Sequence, residues 1–368
     1  MNVEWIDEQN DLAGKVVLVR AGLNTPIEKG VVRTDFRIRK AIPTLRFLRD
    51  QGARVIVIAH IGRDKNETLQ PVADALNEYF PVRFQERKDL DVSTLQNGDI
   101  TLLENLRQDN REVAGDETLA QELAALADVF VQDAFSVCHR NHASIVGIPK
   151  YIKSYGGLLV REETEKLASV LQPEHPALFI LGGAKFGTKE PLIRKFMGVY
   201  DSVFIGGALQ NELLAARGIE VGASVIDDGE VAKDILENEK VADVHDVIVE
   251  HVDGSSETLS INQIGNEDTI VDIGEGTMQN FVATFNTYKT IVWNGPLGWY
   301  EKGYISATKT CAQTLALSSA TTVVGGGDTI ALIQKEKLEN EFDFVSTGGG
   351  AMLEFLLKGT LPGLEVLK

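Results

Sequence analysis

Arginine placement is the first sign of chemistry in this chain. Thirteen arginines fall in residues 1–155 and three in residues 156–368. Several of the thirteen stand where strand-like runs give way to loops: Arg20, Arg37, Arg63 beside His60, Arg107, and Arg140 beside His139. A guanidinium grips carboxylate or phosphate with two parallel N–H groups. Three or more converging would hold one small anion. Arg39, Arg46 and Arg49 instead follow helical spacing and read as a solvated helix face.

In the second half the informative residue is glycine. Five strand-like runs end in glycine turns: Gly182-Gly183-Ala184-Lys185, Gly206-Gly207, Asn294-Gly295-Pro296, Gly325-Gly326-Gly327-Asp328-Thr329 and Gly348-Gly349-Gly350. One such turn is what any left-handed turn or helix start uses. Five at the carboxyl ends of parallel strands predict an edge where backbone N–H groups and helix N-termini receive phosphate. Lys185 and Lys189 stand four apart beside this edge. They either reach phosphate oxygens or are two exposed loop lysines. Asp328 is out of place as an anion cradle but suits Mg²⁺ carried on a nucleotide.

Named motifs only nearly match. Gly182-x4-Gly187-Thr188-Lys189 lacks the lysine directly after the second glycine of a P-loop, and after Gly274 and Gly276 a dinucleotide fingerprint would need glycine at Gln279. His139 and His142 have no second ligand pair, so zinc is not expected.

The whole chain has 368 residues with 36 Lys+Arg against 54 Asp+Glu, a formal net charge of −18. Residues 1–155 carry −3 of this and residues 156–368 carry −15. No broad basic face exists for nucleic acid or an anionic membrane. The two cysteines, Cys138 and Cys311, match no metal or redox spacing, which suits a reduced cytoplasmic protein. The start, Met1-Asn2-Val3-Glu4-Trp5, lacks the features of a signal peptide, and no apolar run approaches a membrane span.

To position these residues, short β-branched runs must alternate with helices. Strands are expected at Lys15–Arg20, Arg54–Ala59, Val129–Val131, Ala177–Leu181, Ser202–Ile205, Thr269–Ile273, Thr290–Trp293, Thr321–Val324 and Phe342–Val345. Helical periods lie between them. This alternation predicts α/β architecture with parallel sheets and right-handed crossovers, and the length favours two such sheets in tandem. A helix over Leu158–Leu171 separates the charge regimes, as an ordinary crossover or as an inter-domain connector. The acidic stretch Asp227–Glu257 reads as a solvated face.

Nine segments in order then resemble the phosphoglycerate kinase family over nearly the whole chain: Arg20–Pro26, Thr34–Arg39, His60–Arg63, Leu103–Arg107, Asp133–Ser144, Gly182–Lys189, Trp293–Pro296, Gly325–Thr329 and Ser346–Ala351. The resemblance implies two doubly wound, Rossmann-like domains facing a central cleft. Residues 1–155 would bind 3-phosphoglycerate, 156–171 would be the inter-domain helix, and 172–354 would bind nucleotide, with a tail from about 355–368 packing back on the first domain. Gly22, Leu23, Asn24, Arg37, His60, Arg63, Arg107 and Arg140 fall at substrate positions. Gly182, Gly183, Lys185, Lys189, Gly207, Asn294, Pro296, Gly325, Gly326, Gly327, Asp328 and Thr329 fall at nucleotide positions, with Glu301 at the ribose position. Arg37, Lys185, Lys189, Gly326 and Gly349 would serve the transfer itself, and Asp328 would hold Mg²⁺. The implied reaction is reversible phosphoryl transfer between 1,3-bisphosphoglycerate and Mg-ADP, giving 3-phosphoglycerate and ATP, by a hinge-bending monomer.

Three departures stand out. The family pattern Arg-x-Asp-x-Asn has Gly22 in place of its Asp, Ala208 replaces a turn glycine, and Arg161 replaces a glutamate. Losing the carboxylate at position 22 should weaken acid binding by about 1–3 kcal/mol if its partner stays unpaired. A catalytically silent nucleotide-binding homologue and a kinase for a related carboxylate remain alternatives at this stage.

Overall fold

Runs of Val, Ile and Leu without polar alternation suit strands covered on both faces. The computed structural model describes residues 3–227 and 231–367 and places these runs in two such sheets. Part of the acidic stretch Asp227–Glu257, and both ends of the chain, lie outside the described residues. The chain divides into two units, residues 1–165 with 358–368, and residues 166–357.

In the first unit the strand Val16–Ala21 is buried at all six positions. It pairs in parallel with Arg54–Ile58 on one side and Val129–Asp133 on the other. Ile100–Leu103 and Arg83–Gln85 extend the sheet beyond Arg54–Ile58, and Lys153–Gly156 extends it beyond Val129–Asp133, making six strands. Of these additions, Arg83–Gln85 and Lys153–Gly156 are partly exposed edge strands without an apolar run, whereas Ile100–Leu103 is buried throughout. Alternate residues face opposite ways. Val17 and Val19 pack with Ile38, Leu45 and Val72 from helices Phe36–Asp50 and Gln70–Leu76. Val16 and Leu18 pack with Leu119 and Leu123 from helix Glu117–Ala124.

The second unit's parallel sheet runs in the order Ser202–Ile205, Ala177–Leu181, Thr290–Asn294, Thr321–Gly325, Phe344–Val345. Its chain order reverses between Ser202–Ile205 and Thr290–Asn294, on either side of Ala177–Leu181. Ligand crevices form at such reversals. Thr269–Ile273 is a strand as expected, but it joins a separate antiparallel sheet with Asp246–Glu250 and Ser256–Ser260. The acidic stretch is therefore not simply a solvated face. Val247 and Val249 are buried while Asp246, Ile248 and Glu250 are half-exposed, the pattern of a strand covered on one side.

Two features tie distant segments into the first unit. Leu361, Leu364 and Leu367 near the chain end are buried, and Gly363 N–H donates to the Cys138 carbonyl at 2.8 Å. The helix Leu158–Ser169 starts on side chains from elsewhere: Thr44 Oγ1 accepts from Leu158 N–H at 3.0 Å, and Asp133 Oδ1 accepts from Leu159 N–H at 3.0 Å. Arg161 on this helix pairs with Asp7 at 3.0 Å, Glu8 at 3.3 Å and Glu165 at 3.0 Å.

Burial pushes the Asp133 carboxyl up to about 7, against opposing hydrogen bonds from Thr44 and backbone. A raised folded-state pKa favours the fold below the unfolded value and loses that contribution as pH rises through the folded one. Asp133 should therefore lower stability between about pH 4 and 7, by up to roughly 1.4 kcal/mol per unit. Asp133→Asn is expected to flatten that decline in urea unfolding measured across this range; an unchanged slope would contradict it.

Candidate active site

The first unit's site is built around one buried charge. Arg20, at the end of the central strand, is wholly inaccessible to solvent. Its Nε donates to Ser144 Oγ at 2.9 Å, Nη1 to the Ala21 carbonyl at 2.6 Å, and Nη2 to His60 Nδ1 at 2.9 Å. Ser144 Oγ in turn donates to Glu112 Oε1 at 2.6 Å, and Ser144 N–H donates to Glu112 Oε2 at 2.9 Å. Burial works to raise the Glu112 carboxyl, but His142, Arg20 and Ser144 together hold it below the usual range. Burial lowers Arg20 to about 10, so it stays charged at neutral pH. Removing Glu112 would strand that charge, at about 3–5 kcal/mol.

This chain decides the state of His60. A guanidinium has donors only, so His60 Nδ1 accepts and the neutral ring carries its proton on Nε2. Burial first, then Arg20, Arg107, Arg140 and Arg37, hold the imidazole far below its ordinary pKa. His60 is a fixed neutral donor among cations. Its loop is pinned from both sides. Asn24 Oδ1 accepts from Gly62 N–H at 2.9 Å, Asn105 Oδ1 accepts from Ile61 N–H at 3.2 Å, and Arg107 Nη1 donates to the Gly62 carbonyl.

Arg37 has its pKa lowered by burial and partly restored by Glu163. For Arg107, burial is the largest lowering influence, followed by Arg140; Arg63 lowers it further. Arg140 Nε donates to His139 Nε2 at 3.5 Å. Arg20, Arg37, Arg63, Arg107 and Arg140 thus form one electrostatic cluster. Leu23 is fully buried in the core, which leaves only its backbone for a ligand.

The second unit holds a cavity of about 470 Å³ at its strand-order reversal. Of the expected nucleotide residues, Gly182, Gly183, Lys189, Gly207, Asn294, Pro296, Glu301, Gly326, Gly327 and Asp328 line it, as does Gly349; Lys185, Gly325 and Thr329 do not. The glycine turns interlock. A Cβ on Gly182 would lie 2.0 Å from the Pro296 carbonyl oxygen, so no side chain fits there. Gly182 N–H donates to the Asn294 carbonyl at 2.9 Å, Gly183 N–H to Pro296 at 3.0 Å, and Gly207 N–H to Leu297 at 2.9 Å. These three amides are engaged within the protein, so at these turns the glycines serve close packing of the backbone. First-turn amides of a helix have no intrahelical acceptor, and helices Gly327–Lys335 and Gly350–Lys358 both start at this cavity.

Lys189 Nζ donates to the Gly182 carbonyl at 3.2 Å and to Ala184 at 3.1 Å, and burial lowers its pKa. Lys185 is exposed, with a left-handed φ of +65° at the start of helix Phe186–Val199. That conformation is uncommon outside glycine and costs about 1–3 kcal/mol. Thr329 Oγ1 is buried and has no hydrogen-bond partner among the described residues. For Asp328, burial and then Glu301 raise the carboxyl pKa. Among the described residues Asp328 has no side-chain hydrogen bond or ion pair, and no group of three or more His, Cys, Asp or Glu comes together. One unneutralised carboxylate fits a Mg²⁺ whose other ligands are water and phosphate.

Residues 6–359 match the family model described as phosphoglycerate kinase. A phosphoglycerate kinase of Dictyoglomus turgidum is 38% identical over 97% of this chain and 96% of its own. One from Rhizorhabdus wittichii is 38% identical over 100% of each. The chain belongs to the phosphoglycerate kinase family. Two solved phosphoglycerate kinase structures match its fold: that from Coxiella burnetii has a TM-score of 0.83 at 31% identity, covering 99% of this chain and 98% of the other. That from Pyrococcus horikoshii has a TM-score of 0.86 at 27% identity, with the same coverage.

Other residues at the two sites are not among the sequence-predicted ones. Ala208, Asn211, Val225, Ile270, Trp299 and Leu353 also line the second unit's cavity. Apolar wall residues look the same in sequence as core residues. Asp272 lines it too, pushed up to about 6 by burial, with its oxygens accepting from Ile273 N–H at 3.0 Å and Ala307 N–H at 3.1 Å. In the first unit Arg20, Ser144, Glu112 and Asn105 hold others in place. Glu112 carries no sequence signal beyond being one acidic residue among many.

A lowered His60 pKa has a measurable consequence. Its contribution to stability is complete above the unfolded value near 6.5 and is lost as pH falls below it. Nitrogen–proton correlation NMR should show His60 as the Nε2–H tautomer with no titration between pH 5 and 8. A midpoint near 6.5 would contradict the geometry.

Proposed function

We propose that this chain catalyses reversible phosphoryl transfer between 1,3-bisphosphoglycerate and Mg-ADP, yielding 3-phosphoglycerate and ATP. Besides family membership, one observation carries the reading: a neutral histidine donor held by a buried ion chain in the field of four arginines, Arg20, Arg37, Arg107 and Arg140. Such a cluster matches a small acid bearing both carboxylate and phosphate.

The chemistry asks little covalent help of the protein. Toward ATP consumption the attacking carboxylate of 3-phosphoglycerate is already ionised at neutral pH, so no general base is needed. Arg63, Arg107 and Arg140 would hold the acid's anionic groups, with His60 Nε2–H donating to an oxygen and Asn24 bracing the loop. Arg37 and Lys189 would neutralise the equatorial oxygens of the group in transfer. Lys189 loses little by leaving two carbonyls for a phosphate. First-turn amides at Gly327 and Gly350 would face the nucleotide phosphates, with Gly326 and Gly349 giving the close approach. Asp328 would hold Mg²⁺, which when bound offsets charge on the nucleotide phosphates. Because an acyl phosphate hydrolyses readily, the residues around it must also exclude water.

A monomeric, cytoplasmic enzyme is part of the proposal. Both cysteines are free and buried. Among the described residues no helix is long and apolar enough to cross a membrane.

A coupled assay with purified protein, Mg-ATP and 3-phosphoglycerate should show turnover. Arg37→Ala and Lys189→Ala should each lower kcat by about 10²–10³. Asp328→Asn should mainly raise KM for Mg-ATP. No turnover at millimolar substrates would overturn the reading.

A further inference from the structure

Gly22 is a glycine without a structural need for one. It follows the strand Val16–Ala21 and is not among the glycines with positive φ. A Cβ built there would meet Ala134 Cα at 3.5 Å, Ser136 Oγ at 3.6 Å and Ala134 Cβ at 3.8 Å. All are ordinary van der Waals separations, unlike the 2.0 Å overlap at Gly182. Neither backbone nor packing excludes a side chain at position 22. The glycine leaves a small space at the carboxyl end of the central strand, where open sheets place their ligands.

Ser136 borders that space. It sits in the turn Phe135–Val137, just after the neighbouring strand Val129–Asp133. Its side chain is partly exposed, and among the described residues its hydroxyl has no hydrogen-bond partner. Arg20 is the charged residue nearest to Gly22 in sequence. Arg20 donates to the carbonyl of Ala21, next to Gly22, and Cys138, two residues beyond Ser136, is in electrostatic reach of Arg20. A half-exposed hydroxyl beside a gap at the carboxyl end of the central strand is suited to a neutral polar group of a ligand.

The geometry points to Ser136 as a substrate-binding residue, its hydroxyl taking the hydrogen bond to the substrate's own hydroxyl across the gap at Gly22. This rests on the acceptor being a hydroxy acid, as in the function proposed above. A serine hydroxyl both donates and accepts, so it satisfies an alcohol in either direction. It also adds no negative charge to the arginine cluster, whereas a carboxylate at position 22 would.

Calorimetric titration of 3-phosphoglycerate and of 3-phosphopropionate, the same acid and phosphate without the hydroxyl, tests the assignment. In Ser136→Ala, affinity for 3-phosphoglycerate should fall about fivefold to tenfold, while affinity for 3-phosphopropionate and KM for Mg-ATP stay unchanged. Ser136→Thr, which keeps the hydroxyl, should retain the preference for 3-phosphoglycerate. Gly22→Val, which fills the gap from the opposite side, should lose that preference and gives a second route if Ser136→Ala fails to fold. Equal losses for both acids, or no loss for either, would overturn the proposal. Turnover of the unaltered chain is a separate readout. An inactive chain that still shows the Ser136 difference supports this role and sinks the kinase reading; an active chain without the difference sinks this role alone.

Discussion

A fully buried guanidinium at the end of a central strand sets the terms for the first unit. Arg20 has no access to water, and an unpaired charge there would be untenable. Ser144 and Glu112 answer it, and they come from segments far apart in sequence. Their arrangement fixes the turn at Ala143–Gly147 and the short helix Arg111–Ala114. The same guanidinium reaches His60 and fixes which ring nitrogen carries the proton. The Glu112 carboxylate, engaged by Ser144 and His142, offsets the charge of Arg20 and also acts on Arg107. Packing and function therefore meet in one chain of hydrogen bonds.

In the proposed function the second unit would meet an anion by different means. It carries most of the chain's negative charge, yet its cavity is made of glycine turns that lock together through their own amides. Their close approach leaves room for a ligand at the strand ends, and the neutralising groups are few and local: Lys189, two helix starts, and one carboxylate suited to a divalent cation. A broad basic surface is unnecessary when charge is handled at this range.

Much of this is legible from sequence, for identifiable reasons. Uninterrupted apolar runs such as Ala177–Leu181 declare doubly covered strands, and glycine turns with Lys189 and Asp328 mark residues that the structure gathers at one cavity. Asp246–Glu250 hides because its alternation of valine with acidic residues resembles surface, and because its partners are antiparallel within an otherwise parallel plan. Lys153–Gly156 hides because an edge strand need not be apolar. At the site, residues that touch a ligand announce themselves by type, whereas those that position them do not. Nothing in the residue types separates Glu112 from its many acidic neighbours, or shows that Gly22 and Ser136 lie side by side. Only the pairing of Val16–Ala21 with Val129–Asp133 reveals that.

If the Arg20–Ser144–Glu112 chain organises the anion site, disturbing its far end must be felt by the acid and not by the nucleotide. Glu112→Gln leaves every proposed ligand-contacting side chain in place. The most direct measurement is the affinity of folded Glu112→Gln for 3-phosphoglycerate and for Mg-ADP, each by calorimetry. The account predicts a loss of about tenfold or more for 3-phosphoglycerate, since 1.4 kcal/mol suffices for that, with Mg-ADP affinity unchanged. Unaltered 3-phosphoglycerate affinity in a folded Glu112→Gln protein would contradict it.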